Sequence, residues 1–422
     1  MSGKLNVWWG QTLVATLAER RGRMSCTYTD PSMPMFSVAM PTRSAPYPDR
    51  FTRPFFHGLL PEGDARRIIA FDLGLGNGGG TDMDLLRALG RDCAGALVIA
   101  QGKPHPSALD GIAHGLSSEQ IAQRLRDLPD HPLGADGLVR VSLPGVQPKL
   151  LLGRTSAGGW YLPAEGRPST HLLKPAHRFL AGSIPNELLC QRFAAAADVS
   201  AATTEMMAFA GEPALVSTRF DREFDASGVS RRLHQEDACQ ALMVLTVDPR
   251  RKYQQGAGPP SLRGVAEVLD RWGDGPQRVR LLEQVVVNMV VGNADLHGKN
   301  LSLLHREGVV SLAPCYDVMS TTALSEDVST GLGLFVGDAT DINEVTMGDV
   351  AAEGGVLGPP ARLGRCGHRW AARPHARRAG GSRRYCDASG RLVLGTAARP
   401  HRWSAASSAN QLDDVARPAL KP

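Results

Sequence analysis

The sequence predicts an α+β fold in two lobes behind a small strand-rich subdomain, on three observations. Residues 4–41 alternate apolar and polar side chains in short runs broken by polar turns. Strand patterns return at 138–178 and 203–224, with one helical stretch, 184–197, between them. Helical periodicity then dominates 235–292. The expected units are therefore a subdomain (1–100), a linker with one helix (101–137), a strand-rich lobe (138–230), a helical lobe (231–350) and a tail (351–422).

Within the subdomain, strands are expected at 5–8, 13–17, 24–28 and 36–40. Pro61-Glu62 opens an amphipathic helix running to Leu73, both residues suiting a first turn. The run Gly74-Leu75-Gly76-Asn77-Gly78-Gly79-Gly80 is glycine-rich, but a nucleotide loop needs a strand before it. A helix precedes it, so it reads as a flexible connector. The linker is rich in Pro, His, Asp and Gly around a helix at 118–128. In the second lobe, residues 281–291 are apolar nearly all round, so that helix has to be buried.

Composition narrows the class. A chain of 422 residues has length for two or three domains, and 42% apolar content is enough to build cores. No stretch approaches eighteen uninterrupted apolar residues and the start has no apolar signal core, so a cytoplasmic protein without a membrane segment is expected. The seven cysteines are odd in number and form no Cys-x-x-Cys, which indicates buried thiols rather than a disulfide framework or zinc site.

The chemistry is carried by Asn293-Ala294-Asp295-Leu296-His297-Gly298-Lys299-Asn300, followed by Tyr316-Asp317-Val318. An Asp, an Asn five residues on and a second Asp beyond the next strand form the set a phosphoryl-transfer enzyme needs. One carboxylate orients the attacking hydroxyl, while an amide and a carboxylate hold Mg²⁺ against the phosphates. The plainer alternative is a helix C-terminal turn with His297 and Lys299 solvated, but five polar side chains between a buried helix and the apolar run 301–304 fit that poorly. Upstream, the Pro/Gly-punctuated turn 141–149 leads into a strand, and Lys174 ends the strand pattern 171–175. Taken singly these are a hairpin turn and an edge lysine. The turn has neither the Walker pattern nor the kinase Gly-x-Gly-x-x-Gly, and it is the order loop, Lys, Asp-x₄-Asn, Asp that puts Lys174 where a kinase places its nucleotide lysine. His234-Gln235-Glu236-Asp237 opens the helical lobe, its acids placed either to neutralise a helix N-terminus or to act in the site.

The chain resembles the HipA family of bacterial serine/threonine kinases, the toxin halves of toxin-antitoxin pairs. The resemblance rests on Phe55-Phe56-His57-Gly58-Leu59-Leu60-Pro61-Glu62-Gly63, Gly90-Arg91-Asp92-Cys93-Ala94-Gly95-Ala96, Ser142-Leu143-Pro144-Gly145-Val146-Gln147-Pro148-Lys149, Leu173-Lys174-Pro175, Pro185-Asn186-Glu187, Arg219-Phe220-Asp221-Arg222, His234 to Asp237, Lys252-Tyr253, Asn293 to Asn300 and Ala313 to Val318, in that order. It implies a bilobal protein-kinase-like fold and ATP and Mg as cofactors. Carried over, the catalytic base is Asp295 and the metal ligands are Asn300 and Asp317. ATP is met by Pro144, Gly145, Val146, Gln147, Pro148, Lys149, Lys174, Thr218, Arg219, Phe220, His297, Lys299, Asn300, Tyr316 and Asp317. Many relatives carry an acid at the position of Thr218, a change that a backbone contact to adenine survives. Ser142 is the implied autophosphorylation site, where about two added negative charges repel bound triphosphate. The resemblance also implies a HipB-like DNA-binding antitoxin, contact with DNA only through that partner, and a protein substrate of the aminoacyl-tRNA synthetase kind. A catalytically impaired module that only docks its antitoxin, and a small-molecule kinase, are the competing readings.

The last segment departs from this pattern. Residues 351–422 hold 12 Arg and 1 Lys against 4 acids, so the basic character of the chain lies there. The segment shows neither helical nor alternating periodicity, and resemblance is expected to stop after Val345. A shifted reading frame in a GC-rich gene produces such Arg, Ala, Gly and Pro content, and is favoured over a basic arm that binds nucleic acid. On that reading nothing from 351 onward packs on the helical lobe.

Overall fold

The computed structural model describes residues 3–75, 80–103, 115–132, 147–163, 168–177, 180–224, 230–325, 327–357, 385–386 and 392–393. Strands β1 (Lys4–Trp9), β2 (Thr12–Arg20) and β3 (Arg23–Tyr28) form the expected meander. Helices α1 (Asp49–Gly58), α2 (Gly63–Asp72) and α3 (Asp82–Leu89) follow, and β4 (Leu97–Ala100) completes an antiparallel sheet in the order β3-β2-β1-β4. Alternation along β1 turns Leu5 and Val7 inward, where they join Phe55, Phe56 and Leu85 in the core. A capping box between Thr81 and Asp84 starts α3.

The strand expected at 36–40 is instead an irregular segment with a turn. Its backbone bonds to buried side chains of a distant unit, so it needs no strand neighbour. The Val38 amide donates to Glu236 at 2.9 Å, and the Phe36 carbonyl lies 2.6 Å from His234 Nε2.

The strand-rich lobe is a six-stranded antiparallel sheet in the order β5-β7-β6-β8-β10-β9. It comprises β5 (Gly115–Leu116), β6 (Leu150–Arg154), β7 (Trp160–Tyr161), β8 (His171–Pro175), β9 (Thr204–Phe209) and β10 (Glu212–Thr218), with helices α4 (Ser118–Asp127) and α5 (Ser183–Ala196). Part of the expected linker thus belongs to this lobe: β5 pairs with β7, and α4 buries Ile121, Ala122 and Leu125. One apolar cluster includes Leu5, Phe55, Leu125, Leu152, Leu173 and Val216, so subdomain and lobe share a core.

A hairpin of β11 (Arg222–Phe224) and β12 (Ser230–Arg232) leads to the second lobe. The helical reading of 235–292 fails at its start: β13 (His234–Asp237) is a strand whose Asp237 caps the short α6 (Ala238–Ala241). The long helices α7 (Leu262–Trp272) and α8 (Gln277–Val291) follow. Next, β14 (Ser302–Arg306) pairs with β13 and with β15 (Val309–Leu312). Helix α9 (Thr321–Leu324), the pair β16 (Gly331–Val336) and β17 (Ala339–Asp341), and α10 (Met347–Leu357) follow. A short pair, β18 (Tyr385–Cys386) and β19 (Leu392–Val393), lies further on.

The expected break at 351 falls inside α10. Leu357 is fully buried with Leu269 and Leu281 of α7 and α8, and Glu353 accepts the Gly337 amide at 3.0 Å. Residues 351–357 are therefore part of the lobe, and the expectations for 358–384, 387–391 and 394–422 lie outside the described residues. Five cysteines, Cys26, Cys93, Cys190, Cys239 and Cys315, are free and buried. Among the described residues no helix is long and apolar enough to cross a membrane.

A buried ion network ties the subdomain to both lobes. Arg219 grips Asp221 with two bonds (2.9 and 2.8 Å), Arg222 reaches Asp92 at 2.8 Å and Asp221 at 3.0 Å, and Asp221 also accepts the Gly95 amide at 2.7 Å and Gln235 at 2.9 Å.

Two buried histidines predict the acid response of the fold. Burial pushes His171 down to about 4, and burial with His305 beside it pushes His234 down to about 3. An unfolded chain protonates histidine near pH 6.5, so below that pH the unfolded state binds protons that the fold refuses. Their contribution is full above that pH and falls by about 1.4 kcal/mol per histidine for each pH unit below it, until the folded values of about 4 and about 3 are reached. The urea midpoint is expected to drop between pH 7.5 and 5.5. An unchanged midpoint would show that these rings are not held neutral.

Candidate active site

Helix α8 delivers the loop that carries Asp295. Its apolar faces are buried and it ends at Gly292 in the left-handed region (φ 78°), where a Cβ would stand 2.4 Å from the Thr322 hydroxyl. Beyond the turn, side chains hold the loop. Asn293 donates to Asn288 (2.7 Å) and accepts the Asp295 amide (3.0 Å), while Thr321 accepts the Ala294 amide (2.9 Å). Gly333 passes so close that a Cβ would lie 2.5 Å from the Leu296 carbonyl. Asn300 closes the loop by donating its amide to the Asp295 carbonyl at 3.0 Å.

Across the cleft, Lys174 sits in β8 opposite Leu215 of β10. Its ammonium donates to both oxygens of Glu187 on α5 (2.8 and 3.0 Å) and to Asp317 (2.5 Å). A strand lysine paired with a helix glutamate is the arrangement that orders the nucleotide lysine in kinases. Burial works against a charged Asp317, yet the Lys174 ammonium holds its carboxyl well below the usual carboxylate range. Burial raises Glu187, and Asp317 beside it adds to the rise against the pull of Lys174. Asp317 holds a left-handed backbone (φ 58°), a conformation that costs energy without glycine and that clusters at functional sites.

Asp295 is largely enclosed, and burial raises its pKa while a 2.8 Å bond from the Tyr253 hydroxyl partly offsets this. Tyr253 also stands edge-on to His297, with ring centroids 5.2 Å apart. Burial, with Lys252 nearby, pushes His297 down to about 3, so it is a neutral ring. Tyr316 packs on Phe220 (5.3 Å) and donates its hydroxyl to the Lys299 carbonyl (2.6 Å).

Asp295, His297, Lys299, Asn300, Tyr316, Asp317, Lys174, Thr218, Arg219, Phe220, Gln147, Pro148 and Lys149 all border one cleft of about 490 Å³. Burial and then the neighbouring Lys174 push the Lys149 amine down to about 8. Ser142, Pro144, Gly145 and Val146 lie outside the described residues. Two members are placed differently from a simple ATP contact. The Arg219 guanidinium turns into the buried network with Asp221, leaving its backbone beside the cleft. The Lys299 ammonium is 3.1 Å from Glu62 and 3.3 Å from Asp237.

Glu187 and Tyr253 stand in motifs that carry the family resemblance, but the sequence assigned neither a place in the site. Glu187 had a signal, since a helix glutamate soon after a strand lysine is the kinase pairing. For Tyr253 the motif gave no role, because only the tertiary fold brings it to Asp295, 42 residues away.

As a donor set, Asp317 and Asn300 fit a hard cation such as Mg²⁺: both offer oxygen, and the amide nitrogen of Asn300 is already committed to Asp295. A carboxylate for a hydroxyl proton, a cation for phosphates and an oxygen pair for a metal are together suited to phosphoryl transfer.

Comparisons with known proteins agree. Residues 5–100 match the HipA N-terminal domain and residues 141–365 the HipA-like C-terminal domain, so resemblance extends past Val345. The chain is 37% identical over 365 residues to "Putative kinase Y4mE" of Sinorhizobium fredii, covering 83% of each. It is 30% identical to the serine/threonine-protein kinase toxin HipA of Shewanella oneidensis, over 73% of this chain and 72% of that one. Its fold is similar to HipA in a solved complex of Shewanella oneidensis MR-1 HipA, HipB and operator DNA, with TM-score 0.72 and 25% identity over 86% of this chain and 88% of that chain. With both family domains present in order and the lysine, aspartate and asparagine set assembled in one cleft, this chain belongs to the HipA family of kinases.

Proposed function

We propose that the protein is an ATP- and Mg²⁺-dependent protein serine/threonine kinase and the toxin of a toxin-antitoxin pair. The observation that carries this is the Lys174 ammonium, bonded at once to Glu187 and Asp317 in the cleft that also holds Asp295. Lys174 pairs with the α- and β-phosphates, and the Phe220 and Tyr316 rings border the nucleotide. Asp295 accepts the proton of a serine or threonine hydroxyl as its oxygen bonds to the γ-phosphorus and the bond to ADP breaks. Bound Mg²⁺ supplies the charge that neutralises the phosphate oxygens, with Asn300 and Asp317 as the residues to hold it. The solved complex with HipB and operator DNA supports a HipB-like antitoxin, and DNA contact through it. The proposal includes autophosphorylation at Ser142 and a protein acceptor from the translation apparatus, such as an aminoacyl-tRNA synthetase.

Incubating the full chain with γ-labelled ATP, Mg²⁺ and a proteome lysate tests the reading. Label on protein serine or threonine, and on Ser142 by mass spectrometry, is expected. Asp317→Ala should weaken Mg·ATP binding by calorimetry, since a hard cation loses its anionic ligand. Label only on small molecules would make this a metabolite kinase, and nucleotide binding without transfer would leave a docking module.

A further inference from the structure

The geometry points to Glu62 of the N-terminal subdomain as a positioning residue for the metal-facing end of the catalytic loop, acting through Lys299. This deepens the kinase reading and rests on Asn300 being a metal ligand. Lys299 immediately precedes Asn300. Its ammonium lies 3.1 Å from Glu62 and 3.3 Å from Asp237, all three side chains being at most 6% exposed. It also donates to the Gly58 carbonyl at 3.3 Å, across 241 residues of sequence. The main chain of the same residue is held too, its carbonyl taking the Tyr316 hydroxyl at 2.6 Å. Asn300 then has its amide nitrogen tied to the Asp295 carbonyl at 3.0 Å. The last two residues of the loop are thus pinned from three sides, and the side formed by Gly58 and Glu62 belongs to the subdomain.

Charge argues for a latch rather than a nucleotide contact. Two buried carboxylates flank the Lys299 ammonium, which is thereby held toward protein carboxylates rather than toward phosphate, while the Lys149 amine in the same cleft also feels Glu62. The same imbalance makes Glu62 the informative residue to change. Glu62→Gln leaves Lys299 and Asp237 as a one-to-one pair and keeps the shape, whereas Lys299→Met strands two buried carboxylates and endangers folding. Without the Glu62 carboxylate, the loop end loses its charged tie to the subdomain. Asn300 then presents its oxygen to a cation less often, which lowers affinity in proportion to the competent fraction.

The test compares the full-length protein with Glu62→Gln by calorimetry and by hydrogen exchange. ATP titrated with Mg²⁺ should bind about tenfold more weakly to the variant, as when the competent loop conformation falls to about a tenth of its population. ATP titrated in EDTA should bind the variant at least as well as the parent, because losing the Glu62 carboxylate also frees Lys149 of a competitor for phosphate, whereas a merely structural defect would weaken it. Amides 295–301 should exchange faster in the variant while those of α7 and α8 do not change. Where Lys299→Met folds, adding Glu62→Gln to it should weaken Mg·ATP no further, because the two residues act as one unit. Equal weakening with and without Mg²⁺, or unchanged exchange at 295–301, would overturn the latch. If the unmodified chain binds no Mg·ATP, the kinase reading falls, and exchange at 295–301 alone decides whether Glu62 holds the loop.

Discussion

Asp295→Asn is expected to cut phosphoryl transfer by at least about 10²- to 10⁴-fold, the range for loss of a positioned proton acceptor. An asparagine is nearly isosteric and its carbonyl oxygen can still accept the Tyr253 hydroxyl, so the loop has no reason to rearrange. It cannot take up the acceptor proton, which is the function lost. Lys174, Asn300 and Asp317 are untouched, and Mg·ATP affinity should stay close to that of the unmodified protein. Single-turnover transfer with labelled ATP, paired with calorimetry, separates the two quantities. Turnover comparable to the parent would move the base elsewhere, and parallel loss of binding would mean that Asp295 acts through the fold.

Asp221→Ala should have the largest effect on stability. Removing this carboxylate takes the main partner from Arg219 and one partner from Arg222, and leaves the Gly95 amide and the Gln235 amide without their acceptor. Breaking one side of a buried pair costs about 3–5 kcal/mol. Net stabilities are about 5–15 kcal/mol, so the loss is a large share of the total. The melting temperature should fall by about 6–20 °C at the 2–4 °C per kcal/mol of 150–250-residue units, and toward the low end for a larger unit such as this one. Asp221→Asn, which keeps an acceptor but not the charge, should fall between the two. A melting curve within a degree or two of the parent would show that the network does not join subdomain and lobes energetically.

Much of this protein is legible along the chain because the responsible physics is local. Alternation identifies β1 to β3, and the apolar faces of residues 281–291 require a buried helix, which α8 is. The order of Lys174, Asp295, Asn300 and Asp317 points to phosphoryl transfer before any fold is seen, and the fold gathers all four in one cleft.

Other features depend on partners that no local pattern carries. The segment 36–40 has a strand-like pattern, yet it is drawn out of a sheet by Glu236, to which Ser37 donates across 199 residues. The segment 351–357 carries no periodic signal, yet it is packed because α7 and α8 offer an apolar groove to Leu357. Thirty-odd residues earlier the same holds for Asp317, whose depressed pKa depends on a lysine 143 residues away. By itself the sequence determined the family, most of the strands and helices around the cleft, and the candidate groups that the fold gathers there. Tertiary structure alone decided which way the Lys299 side chain turns, because a buried cation goes to the nearest buried carboxylates, and only folding brings Glu62 and Asp237 within reach.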